Sequence, residues 1–253
     1  MQAVTAQINT QALRHNLSVV RSQAPTAKVV AVVKANAYGH DLLTVARTLH
    51  DVDAYAVARI EEALTLRSGG IVKPVIMLEG FFSADDLPVL AANNLQTAVH
   101  SWEQLEALEQ AELPQPIRAW MKLDTGMHRL GVRPEEVPTF YARLAACKNV
   151  VQPFNLMTHF SCADELDNPT TRQQLELFSQ IAANHPGECA LANSAAVLAW
   201  KEAHADWIRP GIMLYGISPF PDKVGRDHGL QPVMTLKSNL IAVRTAKAGE
   251  SVG

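Results

Sequence analysis

Lys34 closes an apolar, β-rich run in the segment Val32–His40, VVKANAYGH. A lysine drawn into a partly apolar mouth has its ammonium form disfavoured by desolvation. The neutral amine is the nucleophile of Schiff-base chemistry; a surface lysine reaching solvent is the plain alternative. A second segment, Met121–Val132 (MKLDTGMHRLGV), carries Lys122 on a β-rich run and Arg129 after a glycine-containing turn. The planar fork of arginine suits an oxyanion or a phenolate. A rim salt bridge between Asp124 and Arg129 would use the same residues. A third region pairs Leu191–Ala196 (LANSAA) with Trp207–Gly216 (WIRPGIMLYG). Ser194 and the free N–H groups of a helix start make an anion site, and Gly211 lets backbone approach a ligand closely. Asn193 and Ser194 can equally cap the helix that follows, and the sequence alone does not separate the two uses. Taken together, the segments offer a lysine amine, a phosphate cradle and two arginines, Arg129 and Arg209. An aldehyde cofactor bearing a phosphate and a phenolic oxygen would satisfy all of them.

The elements that must position these groups alternate in type. Short β-rich runs fall at Val29–Val33, Ala54–Ala58, Val75–Leu78, Thr97–Val99, Ala119–Leu123, Phe154–Thr158, Cys189–Ala192 and Trp207–Ile208, the last continuing into Ile212–Tyr215. Helical patterns lie between them. Ser101 with Gln104 reads as a capping box, Pro134 suits a first helical position, and Asn168 or Thr170 caps a further helix. Alternating β and α units imply a parallel sheet. Eight of them without a long break predict a closed (β/α)8 barrel, whose active face lies at the strand C-termini. A helix over Gln11–Gln23 precedes the first strand and is expected to complete the outer ring, because no helix follows the last one. Beyond Gly229 the pattern changes: Val233–Leu236 and Leu240–Val243 read as strands with no helix between them. The division is therefore a barrel over residues 1–228 and the opening of an antiparallel β domain over 229–253. Unpaired, these strands would leave Leu236, Leu240 and Ile241 exposed.

Composition narrows the partners. Apolar residues make 48% and charged residues 19% of 253, as in a soluble globular protein. A net charge of −3 suggests no nucleic-acid or membrane-surface partner, since both would need a basic face. No apolar run approaches the roughly 18 residues of a spanning helix, and the N-terminal stretch lacks the charged and apolar regions of a secretory leader. Cys147, Cys162 and Cys189 form no CxxC pair and read as reduced thiols of a cytoplasmic protein. No metal-ligand motif stands out.

The segments AVVKANAYGH, KLDTGMHRLGV and RPGIMLYG, in this order and spacing, closely resemble alanine racemases, pyridoxal-phosphate enzymes of fold type III. The resemblance covers the whole chain. It implies that Lys34 binds the cofactor covalently and is the base on one of its faces. It implies Tyr38, Ser194 and the N–H groups of Gly211 and Ile212 on the phosphate, with Asn193 among the cofactor contacts. Arg129 would meet the phenolic oxygen and the substrate, and Arg209, with His159 beside it, the pyridine nitrogen. Lys34, Arg209 and His159 would form the catalytic set, and Lys122 matches a lysine often carbamylated in the family. Guanidinium has no acceptor, so a ring nitrogen facing Arg209 stays unprotonated. That weakens the ring as an electron sink and suits racemisation over transamination. Alanine as substrate, a cytoplasmic homodimer and D-alanine supply for peptidoglycan follow from the same resemblance.

The family's second base, a tyrosine on the opposite face, comes directly after a motif matching Ser251–Gly253. The expectation is thus a fragment cut short before its second domain. It would exchange the α-proton of D-alanine, on the lysine face, without interconverting the enantiomers. Two rivals fit less well. A barrel-only pyridoxal-phosphate carrier has no use for the strands beyond Gly229. A Schiff-base aldolase needs an acid–base carboxylate near Lys34, and the strand-end motifs show none.

Overall fold

The structure is a computed structural model that describes residues 4–252. Met1–Ala3, part of the stretch read as lacking a leader, and Gly253, the end of the Ser251–Gly253 motif, lie outside them. The strands are β1 (Val4–Ile8), β2 (Lys28–Val32), β3 (Ala54–Val57), β4 (Val75–Met77), β5 (Leu95–Val99), β6 (Ala119–Lys122), β7 (Asn155–Met157), β8 (Cys189–Ala190), β9 (Trp207–Ile208) and β10 (Met234–Ser238). β2 to β9 pair in sequence order into a closed parallel barrel of eight strands. The eight β-rich runs of the sequence are these eight staves.

Burial on both faces explains why the runs are apolar throughout rather than alternating. Along β2, Val30 and Val32 point into the lumen and Val29 and Ala31 meet the outer helices. The lumen mixes small residues, Ala54, Ala56, Ala98 and Ala190, with two large ones, Trp120 and Trp207. It is a packed core rather than a channel.

The outer helices are α1 (Thr10–Gln23), α3 (Leu42–Thr48), α4 (Ile60–Ser68), α5 (Asp86–Ala92), α6 (Trp102–Gln110), α7 (Val137–Ala146), α8 (Thr170–Ala182) and α9 (Ser194–Ala199), while α2 (Lys34–Gly39) is a left-handed turn at the barrel mouth. As expected, α1 fills the gap in the ring that β9 leaves. Asn9 caps it, accepting from the N–H groups of Gln11 and Ala12. It packs against α3, α9 and the 3-10 turn Ile212–Tyr215. Fully buried Asn16 fixes that seat: its amide donates to the carbonyls of Leu214 and Gln231, each at 2.9 Å, and accepts from Gln231 N–H at 2.8 Å.

Several local expectations are corrected. Ile212–Tyr215 is a 3-10 turn and not a continuation of the eighth strand, because Pro210 and Gly211 turn the chain out of the ladder. Val233–Leu236 is realised as β10, but it is paired: β1, which the sequence did not reveal, runs antiparallel to it from Val4↔Ser238 to Ile8↔Met234. Leu240–Val243 forms no strand. α7 begins at Val137 with Pro138 in its first turn, while Pro134 sits in the turn before it. The capping box at Ser101 is half made: Ser101 Oγ takes the Gln104 N–H, but the Gln104 side chain serves His100 N–H and the Phe81 carbonyl. Neither candidate before α8 is its cap: Pro169 holds that position, Thr170 is the first helical residue, and Asn168 accepts from Thr170 N–H at 3.0 Å from one residue further out.

Candidate active site

The loops after the strand C-termini enclose a cavity of about 610 Å³. Lys34, Tyr38, Lys122, Arg129, His159, Asn193, Ser194, Arg209, Gly211 and Ile212 all line it, so every site residue singled out from the sequence reaches one place.

Lys34 opens a turn of unusual hand. Ala35, Asn36, Ala37 and Tyr38 all have φ between 52° and 54°, a left-handed turn containing no glycine. Each such residue costs about 1–2 kcal/mol, so the turn must be held from outside. Asn36 does this twice: its Oδ1 accepts from Leu42 N–H at 2.9 Å, and its own N–H donates to Glu62 Oε1 at 3.2 Å. Tyr38 then stacks on Tyr215 at 4.7 Å. Tyr215 donates its hydroxyl to the Val32 carbonyl at 3.0 Å, and Val32 N–H donates to Pro210 O. The β2–β9 seam therefore continues past the end of β9 through a side chain, up to the lysine-bearing turn. A Cβ on Gly211 would stand 2.5 Å from the Tyr38 hydroxyl, so glycine is what admits the phenol. Burial raises the Tyr38 pKa, which keeps the phenol protonated as a donor.

The excursion from Asp124 to Val132 presents Arg129. Asp124 is buried and accepts from the backbone N–H groups of Gly126 and His128. Its ion pair is with Arg133 at 3.1 Å, with His128 Nδ1 at 3.0 Å. The alternative of an Asp124–Arg129 bridge is thereby excluded, and Arg129 has no ion pair among the described residues. Although burial alone would raise the Asp124 pKa, these bonds from His128, Gly126 and Arg133 outweigh it and hold it down at about 2. Gly131 closes the excursion at φ +142°, where a Cβ would lie 2.3 Å from Asp124 N.

Lys122 is buried at the end of β6 and donates to the Leu78 carbonyl at 3.2 Å. Burial, then Arg209 and Arg129, push its pKa down to about 8. His159 is pushed to about 3 by burial and by the same cations, so its imidazole is neutral at physiological pH. Arg209 is buried and donates through Nη2 to the carbonyls of Thr158 and Leu191. Its Nη1 is buried without a partner among the described residues.

Asn193 and Ser194 divide the two uses left open by the sequence. Asn193 Oδ1 caps α9 through Ala196 N–H at 3.0 Å. Ser194 Oγ instead accepts from Gly211 N–H at 2.9 Å and Met213 N–H at 3.3 Å, which leaves its own proton free to donate. The Gly211 N–H, assigned to a phosphate by resemblance, is engaged by Ser194 here. Sequence reasoning missed Glu79 and Asp164, two carboxylates that also line the cavity. Glu79 follows β4 by two residues, and that strand-end position was the available signal. Tyr215 was missed because its role is to hold other residues.

Comparison with known proteins agrees with this geometry. A family profile described as "Alanine racemase, N-terminal domain" matches residues 8–219. An alanine racemase of Aeromonas hydrophila is 71% identical over 253 residues, covering 100% of this chain and 71% of the relative. A biosynthetic alanine racemase of Escherichia coli is 58% identical over 254 residues, again with 71% of the relative covered. The crystal structure of biosynthetic alanine racemase from Pseudomonas aeruginosa superposes with a TM-score of 0.95 at 42% identity, over 100% of this chain and 70% of that one. Fold and relatives define an isomerase, an amino-acid racemase built on a (β/α)8 barrel. The chain belongs to the alanine racemase family.

Proposed function

We propose that the cavity holds pyridoxal 5'-phosphate through Lys34 and interconverts L-alanine and D-alanine, in a cytoplasmic homodimer that supplies D-alanine for peptidoglycan. The observation that carries the cofactor assignment is Arg209 Nη1. A buried guanidinium N–H without an acceptor costs free energy, and here it belongs to a residue lining the same cavity as the Lys34 amine and the Ser194 hydroxyl. A neutral pyridine nitrogen is such an acceptor. The other donors fit the other oxygens: the Ser194 and Tyr38 hydroxyls and the Ile212 N–H at the head of its 3-10 turn suit a phosphate, and unpaired Arg129 suits the phenolic oxygen.

When bound, pyridoxal phosphate delocalises the electron pair left at the substrate Cα after its proton departs. Lys34 removes and returns that proton on one face, and Arg129 orients the substrate carboxylate. Arg209 would donate to the ring nitrogen and, having no acceptor to offer, would keep it unprotonated. His159 stays neutral beside Arg209 and adds no charge there. Lys122 acts through Arg129: as a neutral amine it adds to carbon dioxide, releasing a proton, and the carbamate anion then faces Arg129. Racemisation also needs a proton donor on the opposite face, which the resemblance gives to a tyrosine following Gly253.

The test is loading with pyridoxal phosphate, dialysis and borohydride reduction. One label per chain is expected on the peptide containing Lys34, and none on the Lys34→Ala variant. A Lys34→Ala chain that still takes up one reducible label contradicts the assignment.

A further inference from the structure

The N-terminal mouth of the barrel, opposite the racemase cavity, contains a second cavity of about 370 Å³. Its walls come from residues at or just before the starts of strands: Gln96, Arg118, Trp120, Asn155, Glu188 and Trp207. The hydrogen bonds among them are lopsided. Gln96 Oε1 accepts from Trp120 Nε1 at 2.8 Å, and Asn155 Oδ1 accepts from Glu188 N–H at 3.1 Å. Both partners can only donate, so each amide's orientation is fixed and its NH2 end is left over. The two Glu188 oxygens also have donors, Lys28 Nζ on one and Trp207 Nε1 on the other.

Every side-chain acceptor in the cavity is thus engaged. What remains is donors: Gln96 Nε2, Asn155 Nδ2 and the Arg118 guanidinium make no hydrogen bond among the described residues. Asn155 is only 2% exposed. Its Nδ2 has no protein acceptor among the described residues and is not sealed from solvent, so its hydrogen bond is left to whatever fills the cavity. The charge has the same sign, with Lys28 and Arg118 against the single carboxylate of Glu188.

We propose that this cavity is a binding site for a small monocarboxylate. The Arg118 fork matches a carboxylate in two parallel bonds, and the free amides of Gln96 and Asn155 supply further donors. The rings of Trp120 and Trp207, set edge to face at 6.0 Å, give a short alkyl tail an apolar wall. Lys28 and Arg118 outnumber Glu188 around the cavity, so an ammonium-bearing amino acid is a poorer occupant than a simple carboxylate. The site is independent of the racemase chemistry and shares no residue with its cavity.

The four tryptophans separate the outcomes. Trp120 and Trp207 line the basal cavity, Trp200 donates to the Ala163 carbonyl next to Asp164 of the racemase cavity, and Trp102, whose indole donates to Glu136, lines neither. Propionate is titrated against chloride at constant ionic strength, and the four indole N–H resonances are followed in a nitrogen-15 spectrum. Trp120 and Trp207 should move together along one saturating curve while Trp102 stays still. Arg118→Gln should weaken that curve by about tenfold or more, the contribution of a charge-assisted pair. Gln96→Glu, which keeps the acceptor for Trp120 but brings a second carboxylate, should abolish it with the Trp102 resonance unchanged. Movement of Trp200 alone, linear drift of all four, or an unaltered curve in both variants overturns the proposal. Saturation by inorganic phosphate but not by propionate overturns the carboxylate assignment.

Discussion

At the scale of single residues, the cavity forces charges apart. Lys34, Lys122, Arg129 and Arg209 line it together, and two groups there are held towards their neutral forms: His159 near 3 and Lys122 near 8. The sign for His159 follows from linkage. Between pH 6.5 and 3 the unfolded imidazole binds a proton that the folded one refuses, so stability falls as pH drops through that window. The slope is at most about 1.4 kcal/mol per pH unit, hence roughly 2 kcal/mol between pH 6.5 and 5. Urea midpoints of the cofactor-free chain at pH 7 and pH 5 check this: His159→Leu should remove most of the loss that the unaltered chain shows. Equal losses would mean that His159 titrates normally. The residue types were legible in the sequence because three compact motifs carry them. Their partners were not. Nothing local shows that Asp124 pairs with Arg133 rather than Arg129, or that Tyr215 reaches back to Val32.

At the scale of elements, the left-handed turn after Lys34 ties stability to site order. Ala35 is exposed and sits at φ 54°. Ala35→Gly removes a Cβ penalty of about 1–2 kcal/mol against an unfolded-state entropy loss of roughly 0.5–1 kcal/mol. A net gain of about 0.5 kcal/mol in chemical denaturation is expected. The same change loosens the turn, so retention of pyridoxal phosphate on dialysis should fall. Ala35→Val should cost stability outright. Loss of stability in the glycine variant would show that the turn is not strained. Such a turn leaves no trace in the sequence, since KANAY has no glycine until Gly39. The barrel strands were legible for the opposite reason: burial on both faces makes each one a continuous apolar run. The same signal misled at Ile212–Tyr215, where apolar residues fill a 3-10 turn behind Pro210 and Gly211.

At the scale of the whole molecule, the segment after the barrel is joined to the start of the chain. His15 Nε2 meets the Gly229 carbonyl, Asn16 holds Gln231, Asn9 N–H donates to Val233 O, and β1 pairs β10. The pairing is non-local, which is why five residues as short and exposed as Val4–Ile8 did not read as a strand. Beyond Ser238, Leu240, Ile241 and Val243 are more than four-fifths exposed, at 85%, 98% and 82%. Deleting residues 239–253 should therefore raise solubility with no change in melting temperature, since it removes exposed apolar surface. Deleting 229–253 removes both bonds between Asn16 and Gln231, leaving only its bond to the Leu214 carbonyl, at about 1–3 kcal/mol, and should lower the melting temperature by roughly 5 °C. Identical behaviour of the two truncations would show that the segment through Ser238 contributes nothing to the barrel.

The central claim is that Lys34 moves the α-proton on one face of a cofactor held by Arg209, Ser194 and Tyr38. Its most direct test is proton exchange by a polypeptide of these 253 residues, loaded with pyridoxal phosphate in deuterated water and followed by proton NMR and chiral chromatography. D-alanine is expected to gain deuterium at Cα and keep its configuration, L-alanine to exchange no faster than with free cofactor, and Lys34→Ala to bring D-alanine down to that same rate. Exchange of D-alanine that survives Lys34→Ala, or rapid formation of L-alanine by the unaltered polypeptide, would contradict it.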